Sequence, residues 1–200
     1  MRLNAPMFGP GDYFQAGFVY AEGATQYASN TPTAALVKQG GTFGQSFIDD
    51  AAFSGIAAAP GFFELTTAWS VMASYEHFWT PSLRTSVYGS YFEVTRPDNF
   101  NTALCATTTL TDRGASAAGR AGGCDQDLSY YNIGTRSQWN VTNGLYVGLD
   151  VMYAKLNSAK FNAAGTNTAA AGNGVAAGTY QPPNQDTWSA AWRIHRDIVP

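Results

Sequence analysis

Five charged side chains stand inside otherwise apolar stretches of this 200-residue chain: Glu76, Arg84, Arg136, Asp150 and Arg193. Their chemistry is electrostatic. Two carboxylates and three guanidiniums on one wall set up a field that attracts, rejects or orients ions and polar solutes. Tyr88, Gln138 and His195 share the parity of the charged residues in their own stretches and add hydrogen-bonding groups. Two arrangements stay open. The arginines could form a basic wall facing acidic groups elsewhere, or they could pair with Glu76 and Asp150 and brace the wall. Nucleophilic catalysis has no footing, because Ser189 and His195 share a face but six residues of extended chain hold them about 20 Å apart. His77 and His195 fall on opposite faces with no metal-ligand cluster, so neither metal nor cofactor is expected. Gly172-Asn173-Gly174 with Gly178 lacks the spacing and the following helix of a phosphate loop. The chain reads as a non-enzyme.

The elements that must carry these residues are strands. In Leu83 to Tyr91, the residues Leu83, Thr85, Val87, Gly89 and Tyr91 alternate with Arg84, Ser86, Tyr88 and Ser90. Tyr131 to Trp139 and Leu145 to Tyr153 repeat the pattern. Alternation of period two puts successive side chains on opposite faces of a sheet. A charge on a lipid face would cost roughly 2–4 kcal/mol at mid-membrane, and all five charges avoid the apolar face. His77 and Arg196 have outward parity near the short-turn end, where a neutral imidazole or a snorkelling guanidinium is tolerable. Glu93 and Lys155 lie two residues beyond the outward Tyr91 and Tyr153. The expected fold class is all-β: an antiparallel up-and-down transmembrane β-barrel.

Six strands are predicted, over 12–21, 67–79, 83–94, 128–140, 145–156 and 187–199. Tight connections join the second to the third, through Thr80-Pro81-Ser82, and the fourth to the fifth, through Val141-Thr142-Asn143-Gly144. Long connections of about 22–66, 95–127 and 157–186 separate the others. Strict alternation of short and long is the habit of bacterial outer-membrane barrels. Within 22–66, Thr42 to Phe53 could be a further strand or an ordered piece of loop.

Composition agrees. Charged residues make up 12% of the chain, against about 25% in an average soluble protein. No run reaches the roughly 18 apolar residues of a transmembrane helix. A formal charge of −3 argues against nucleic acid as a partner; outer-membrane lipid is the expected one. Arg2-Leu3-Asn4-Ala5-Pro6 has no apolar signal core, so the export signal is expected upstream and the chain is expected to be part of a longer protein. Cys105 and Cys124 sit in one polar, Gly-rich stretch. A disulfide closing a surface loop in an oxidising compartment is the reading, with two unpaired loop thiols as the alternative. Two ligands without a nearby histidine are too few for a metal.

Several segments resemble the general diffusion porins of alphaproteobacteria, of the Rhizobiales type. They are Tyr75-Glu76-His77-Phe78-Trp79-Thr80-Pro81 with Leu83-Arg84-Thr85-Ser86, then Gly134-Thr135-Arg136-Ser137-Gln138-Trp139-Asn140, Gly148-Leu149-Asp150-Val151-Met152-Tyr153 and Trp192-Arg193-Ile194. The resemblance implies a 16-stranded barrel, a homotrimer, and passive passage of small hydrophilic solutes and ions. Residues 1–200 would then be a C-terminal segment, with the constriction loop upstream. The terminal Ile198-Val199-Pro200 departs from the aromatic ending usual in such proteins. Pore-lining positions would be Glu76, Arg84, Tyr88, Arg136, Gln138, Asp150, Arg193 and His195. The rival reading is a small outer-membrane β-barrel with a structural or surface-binding role.

Overall fold

The computed structural model describes residues 1–28, 35–39, 42–46, 49–53, 63–99, 101, 125–157, 167–169, 178–180 and 185–197. One antiparallel sheet of seven strands dominates it. In chain order these are β1 (Arg2–Asn4), β2 (Tyr13–Glu22), β3 (Thr67–Phe78), β4 (Leu83–Thr95), β5 (Leu128–Thr142), β6 (Leu145–Asn157) and β7 (Gln185–Arg196). Every strand pairs with its sequence neighbour, giving an up-and-down meander. The six predicted strands are all present, with no end shifted by more than three residues. The seventh, β1, is three residues long and sits at one edge.

Among the described residues, the segment between β2 and β3 adds no strand to the wall. Its pieces pair among themselves, Ala35–Gln39 with Thr42–Ser46 and Ala51–Phe53 with Phe63–Leu65. Asn167–Ala169 pairs with Gly178–Tyr180 in a third small hairpin. Cys105 and Cys124 lie outside the described residues.

Alternation along each strand becomes two faces only if neighbouring strands are in register, and they are. Phe18, Val71, Tyr91, Tyr131 and Lys155 lie opposite one another along one rung. Phe14, Tyr75, Val87, Thr135, Val151 and Ala190 form another. This outward face exposes Phe14, Phe18, Tyr20, Val71, Val87, Ile133, Trp139, Trp188, Trp192 and Ile194. Such an apolar expanse would be a liability in water and is what a lipid-facing wall requires.

Aromatic rings gather at both ends of that face. Towards the long loops, Trp69 lies against Tyr91 (ring centres 5.0 Å apart), Tyr131 against Tyr153 (6.1 Å) and Tyr153 against Trp188 (5.1 Å). Towards the short turns, His77 meets the edge of Trp79 (4.4 Å) and stacks on Tyr75 (6.4 Å). Outward hydroxyls satisfy one another between these ends. Trp79 Nε1 donates to Thr85 Oγ1 (3.0 Å), Thr85 and Ser137 share a hydrogen bond (3.0 Å), and Thr135 donates to the Ser86 carbonyl (3.1 Å). A polar group left unpaired in lipid would cost several kcal/mol.

The buried core lies at the long-loop end of the inward face. Ala68, Phe92, Val94, Leu128 and Leu156 form one cluster there, closed over by Ala28. The β2–β3 connection folds inward to supply that cover, through a short 3-10 turn at Thr25–Tyr27. Alternation alone gave no warning that the inward face changes from polar to apolar along its length.

Candidate functional site

Cross-strand register orders the inward side chains. Nearest the short turns, His195 stands opposite Tyr146, and Tyr146 opposite Asn140. The next rung runs Arg193, Gly148, Gln138, Arg84 and Phe78. Above it come Ala191, Asp150, Arg136, Ser86, Glu76 and Tyr13. The third holds Ser189, Met152, Gly134, Tyr88, Ser74 and Gln15, and the fourth Thr187, Ala154, Asn132, Ser90, Met72 and Gly17. Glu76, Arg84, Arg136, Asp150 and Arg193 therefore occupy two adjacent rungs, in the half of the wall nearer the short turns, while Arg2 on β1 stands opposite Gln15 in the third.

Within this belt the pairing is uneven. Arg84 Nη1 donates to Glu76 Oε1 at 2.9 Å, diagonally across the β3–β4 hairpin, while its guanidinium carbon sits 6.0 Å from the Phe78 ring centre. Arg136 Nη2 donates to Gln138 Oε1 (3.0 Å), and Gln138 Nε2 donates onward to Asn140 Oδ1 (2.9 Å). Glu76, Arg84, Ser86, Arg136 and Gln138 enclose a small cleft of about 50 Å³. Asp150 lies opposite Arg136 in register but accepts its hydrogen bond from Tyr88 Oη, at 2.5 Å. Arg193, on the last strand, is exposed and makes no ion pair among the described residues. His195 stacks on Tyr146 (5.2 Å) and its Nε2 lies 3.1 Å from Asp197 Oδ1. Seven of the eight predicted lining residues thus cluster in or beside the belt; Tyr88 reaches down to it from the rung above.

That reach depends on Gly134. Tyr88 and Asp150 sit on β4 and β6, with β5 between them. The phenol crosses β5 directly over Gly134, where a Cβ would stand 2.6 Å from both Cζ and Oη of Tyr88. Only a residue without a side chain lets the ring lie flat there. An isolated glycine inside an alternating strand is a sequence sign of close approach.

Two further clusters were not legible in the sequence. At the short-turn rim, outside the spanning segments, Asp12 is 1% exposed. It accepts from Tyr75 Oη (2.6 Å) and the Phe78 N–H (2.9 Å), and His77 Nδ1 lies 2.7 Å away. An ionised carboxylate only accepts, so Nδ1 carries the proton. Burial pushes this carboxyl up, but the bonds from Tyr75, His77 and Phe78 outweigh it and bring it from 3.8 to about 2. The covering turn needs Gly11, whose φ of +92° suits glycine and whose missing Cβ would meet the Phe78 ring. His77 is thus satisfied inside the protein despite its outward parity.

At the opposite end, Arg96 is 2% exposed and fastens three loop segments. Its Nε and Nη2 donate to Asp49 Oδ1 (2.9 and 2.8 Å), its backbone N–H to Asp127 Oδ1 (2.8 Å), and its Nη1 to the Gln126 carbonyl. Asp49 also accepts from Thr66 Oγ1 (3.1 Å), and Asp50 from the backbone and hydroxyl of Thr25 (both 2.7 Å). These groups hold loop bases against the wall. Among the described residues, no group of three or more metal-ligating side chains is present.

Comparison with known proteins adds one finding. A family model described as a porin subfamily matches residues 1–192. No curated protein and no solved structure matches the chain.

Proposed function

Because this chain belongs to the porin family, we propose that it forms the wall of a passive, water-filled channel in the bacterial outer membrane, admitting small hydrophilic solutes and ions. The observation that carries this reading is the division of one continuous sheet into an exposed apolar, aromatic-edged face, with charges only near its ends, and a face holding Glu76, Arg84, Arg136, Asp150 and Arg193 along its middle and short-turn half. Lipid explains the first and water the second. The pore-lining set is Glu76, Arg84, Tyr88, Arg136, Gln138, Asp150, Arg193 and His195. Passage needs no cofactor and no turnover, since the solute gradient supplies the work.

The sheet edges support a larger assembly. Among the described residues, β7 has a partner on one side only, and β1 covers β2 only from Tyr13 to Gln15. Open strand edges are not tolerated in hydrocarbon, so further strands must close the wall. We read residues 1–200 as a segment of a 16-stranded barrel that assembles as a homotrimer, as the family likeness implies.

The test is a planar-bilayer recording of the protein isolated from its own outer membrane. Discrete, long-lived conductance steps are expected. Arg84→Glu with Arg136→Glu should move the reversal potential in a salt gradient towards cation preference. An unchanged reversal potential would mean that these side chains do not see the permeation path. Absence of any channel would sink the proposal as a whole.

A further inference from the structure

Directly above the charged belt the inward face opens into a cleft of about 550 Å³, lined by Gln15, Met72, Ser74, Tyr88, Ser90 and Asn132 among others. This size falls in the usual range for small-molecule sites. From β2 to β7 the two rungs that form it hold no charged side chain; at the edge, Arg2 stands opposite Gln15 but leans its guanidinium over the Tyr13 ring (3.9 Å), and the Met1 ammonium donates to the Ala16 carbonyl (2.8 Å). The thioether of Met72 is half exposed and leans over Gly17, where a Cβ would come 3.3 Å from its Cγ. Around that apolar patch stand neutral hydrogen-bonding groups. Asn132 Nδ2 is committed to Ser90 Oγ (2.7 Å), which leaves the amide oxygen of Asn132 and the hydroxyl proton of Ser90 pointing to other partners. The Gln15 amide and the Ser74 hydroxyl make no side-chain hydrogen bond among the described residues.

Resting on the channel reading above, we infer that this cleft is a solute-binding station on the wall for neutral polyhydroxyl compounds of one or two sugar rings. A sugar ring has an apolar C–H face and a rim of hydroxyls. Its face matches the Met72–Gly17 patch, and its rim matches the amides and hydroxyls around it. A small cation finds no opposite charge here and has no reason to pause. An apolar solute would strip water from four polar side chains without replacing their hydrogen bonds, which is unfavourable. The charged belt lies one rung below, so a sugar released towards the short turns meets water-rich, charged wall and is not retained. The station therefore slows passage without blocking it.

The experiment is current recording through single channels in a planar bilayer, with maltose added to one side. A polyethylene glycol of matched hydrodynamic radius serves as the size control. After correction for bulk conductivity, maltose should reduce the current saturably, whereas the polymer should reduce it in proportion to concentration. Asn132→Leu and, separately, Met72→Ser should each raise the half-saturating maltose concentration by about fivefold, the factor expected for one lost contact of about 1 kcal/mol. Maltose and polymer acting alike on the unaltered channel would overturn the inference while leaving the channel reading intact. No channel at all would overturn both. The comparison of the two probes needs no variant, so a misfolded substitution does not rescue the idea.

Discussion

Replacing Gly134 by alanine probes the inward face at its tightest point. The new Cβ would stand 2.6 Å from both Cζ and Oη of Tyr88, far inside van der Waals contact. Strand β5 is held by ladders on both sides, to β4 and to β6, so the backbone cannot retreat and the phenol must lift. Lifting breaks the bond from Tyr88 Oη to Asp150 Oδ1. A hydrogen bond to a charged group contributes about 1.5–3 kcal/mol, and alanine in a strand recovers roughly 0.5–1 kcal/mol relative to glycine. The net expectation is a loss of about 1–2 kcal/mol. Denaturant unfolding in detergent micelles, followed by tryptophan fluorescence, would measure it. The decisive arrangement is a double-mutant cycle with Tyr88→Ala. Without the ring there is nothing to displace, so Gly134→Ala should then be neutral or slightly stabilising. An equal cost in both backgrounds would show that Gly134 serves its own backbone and not the crossing of Tyr88, and the argument would fail. A ring lifted into the lumen should also lower single-channel conductance.

Other perturbations separate the remaining claims. Asp12 carries a pKa brought down to about 2, so the stability it contributes is complete above its unfolded value near 4 and is lost as pH falls through 2. Thermal unfolding by circular dichroism should show a transition temperature that drops over that window, and Asp12→Asn should be less stable at pH 7 yet largely insensitive to it. Val151→Arg places a charge in the middle of the outward face and should cost roughly 2–4 kcal/mol in lipid vesicles; a harmless substitution would mean that this face does not meet hydrocarbon. Bridging of Cys105 and Cys124, proposed from their shared loop, predicts a reductant-dependent change in gel mobility and a loss of about 3 kcal/mol in Cys105→Ser with conductance retained. Loss of the channel in that variant would contradict the loop assignment.

Where side chains repeat every two residues, the sequence was a good guide. Leu83–Thr95 and Leu145–Asn157 announce both faces in their own spelling, and the tight turns at Thr80-Pro81-Ser82 and Asn143-Gly144 pin the hairpins between them. Heights were not legible, because no single strand states its register against the next. Only pairing shows that Arg84, Gln138 and Arg193 share one rung and Glu76, Arg136 and Asp150 another. The three residues of β1 were too few to show a period. Asp12 looked like the start of a strand, and its burial depends on Tyr75 and His77, more than sixty positions away. The apolar cluster of Phe92, Val94, Leu128 and Leu156 has the inward parity expected of polar residues, and its cover comes from a connection whose fold no local pattern announced.

The bunching of Glu76, Arg84, Arg136, Asp150 and Arg193 in the short-turn half makes this wall electrically lopsided. A charge arriving from the long-loop side passes the loop-base charges of Arg96, Asp49 and Asp127 and then crosses neutral and apolar inward wall before it reaches this belt, whereas one arriving from the other side meets the belt at once. Within the belt itself, three guanidiniums stand against two carboxylates, and the Arg2 guanidinium lies beside it over the Tyr13 ring. On the proposed channel reading, such a wall is expected to act as a weak diode: in equal salt on both sides, current driven one way should differ from current driven the other, although nothing in the wall has to move.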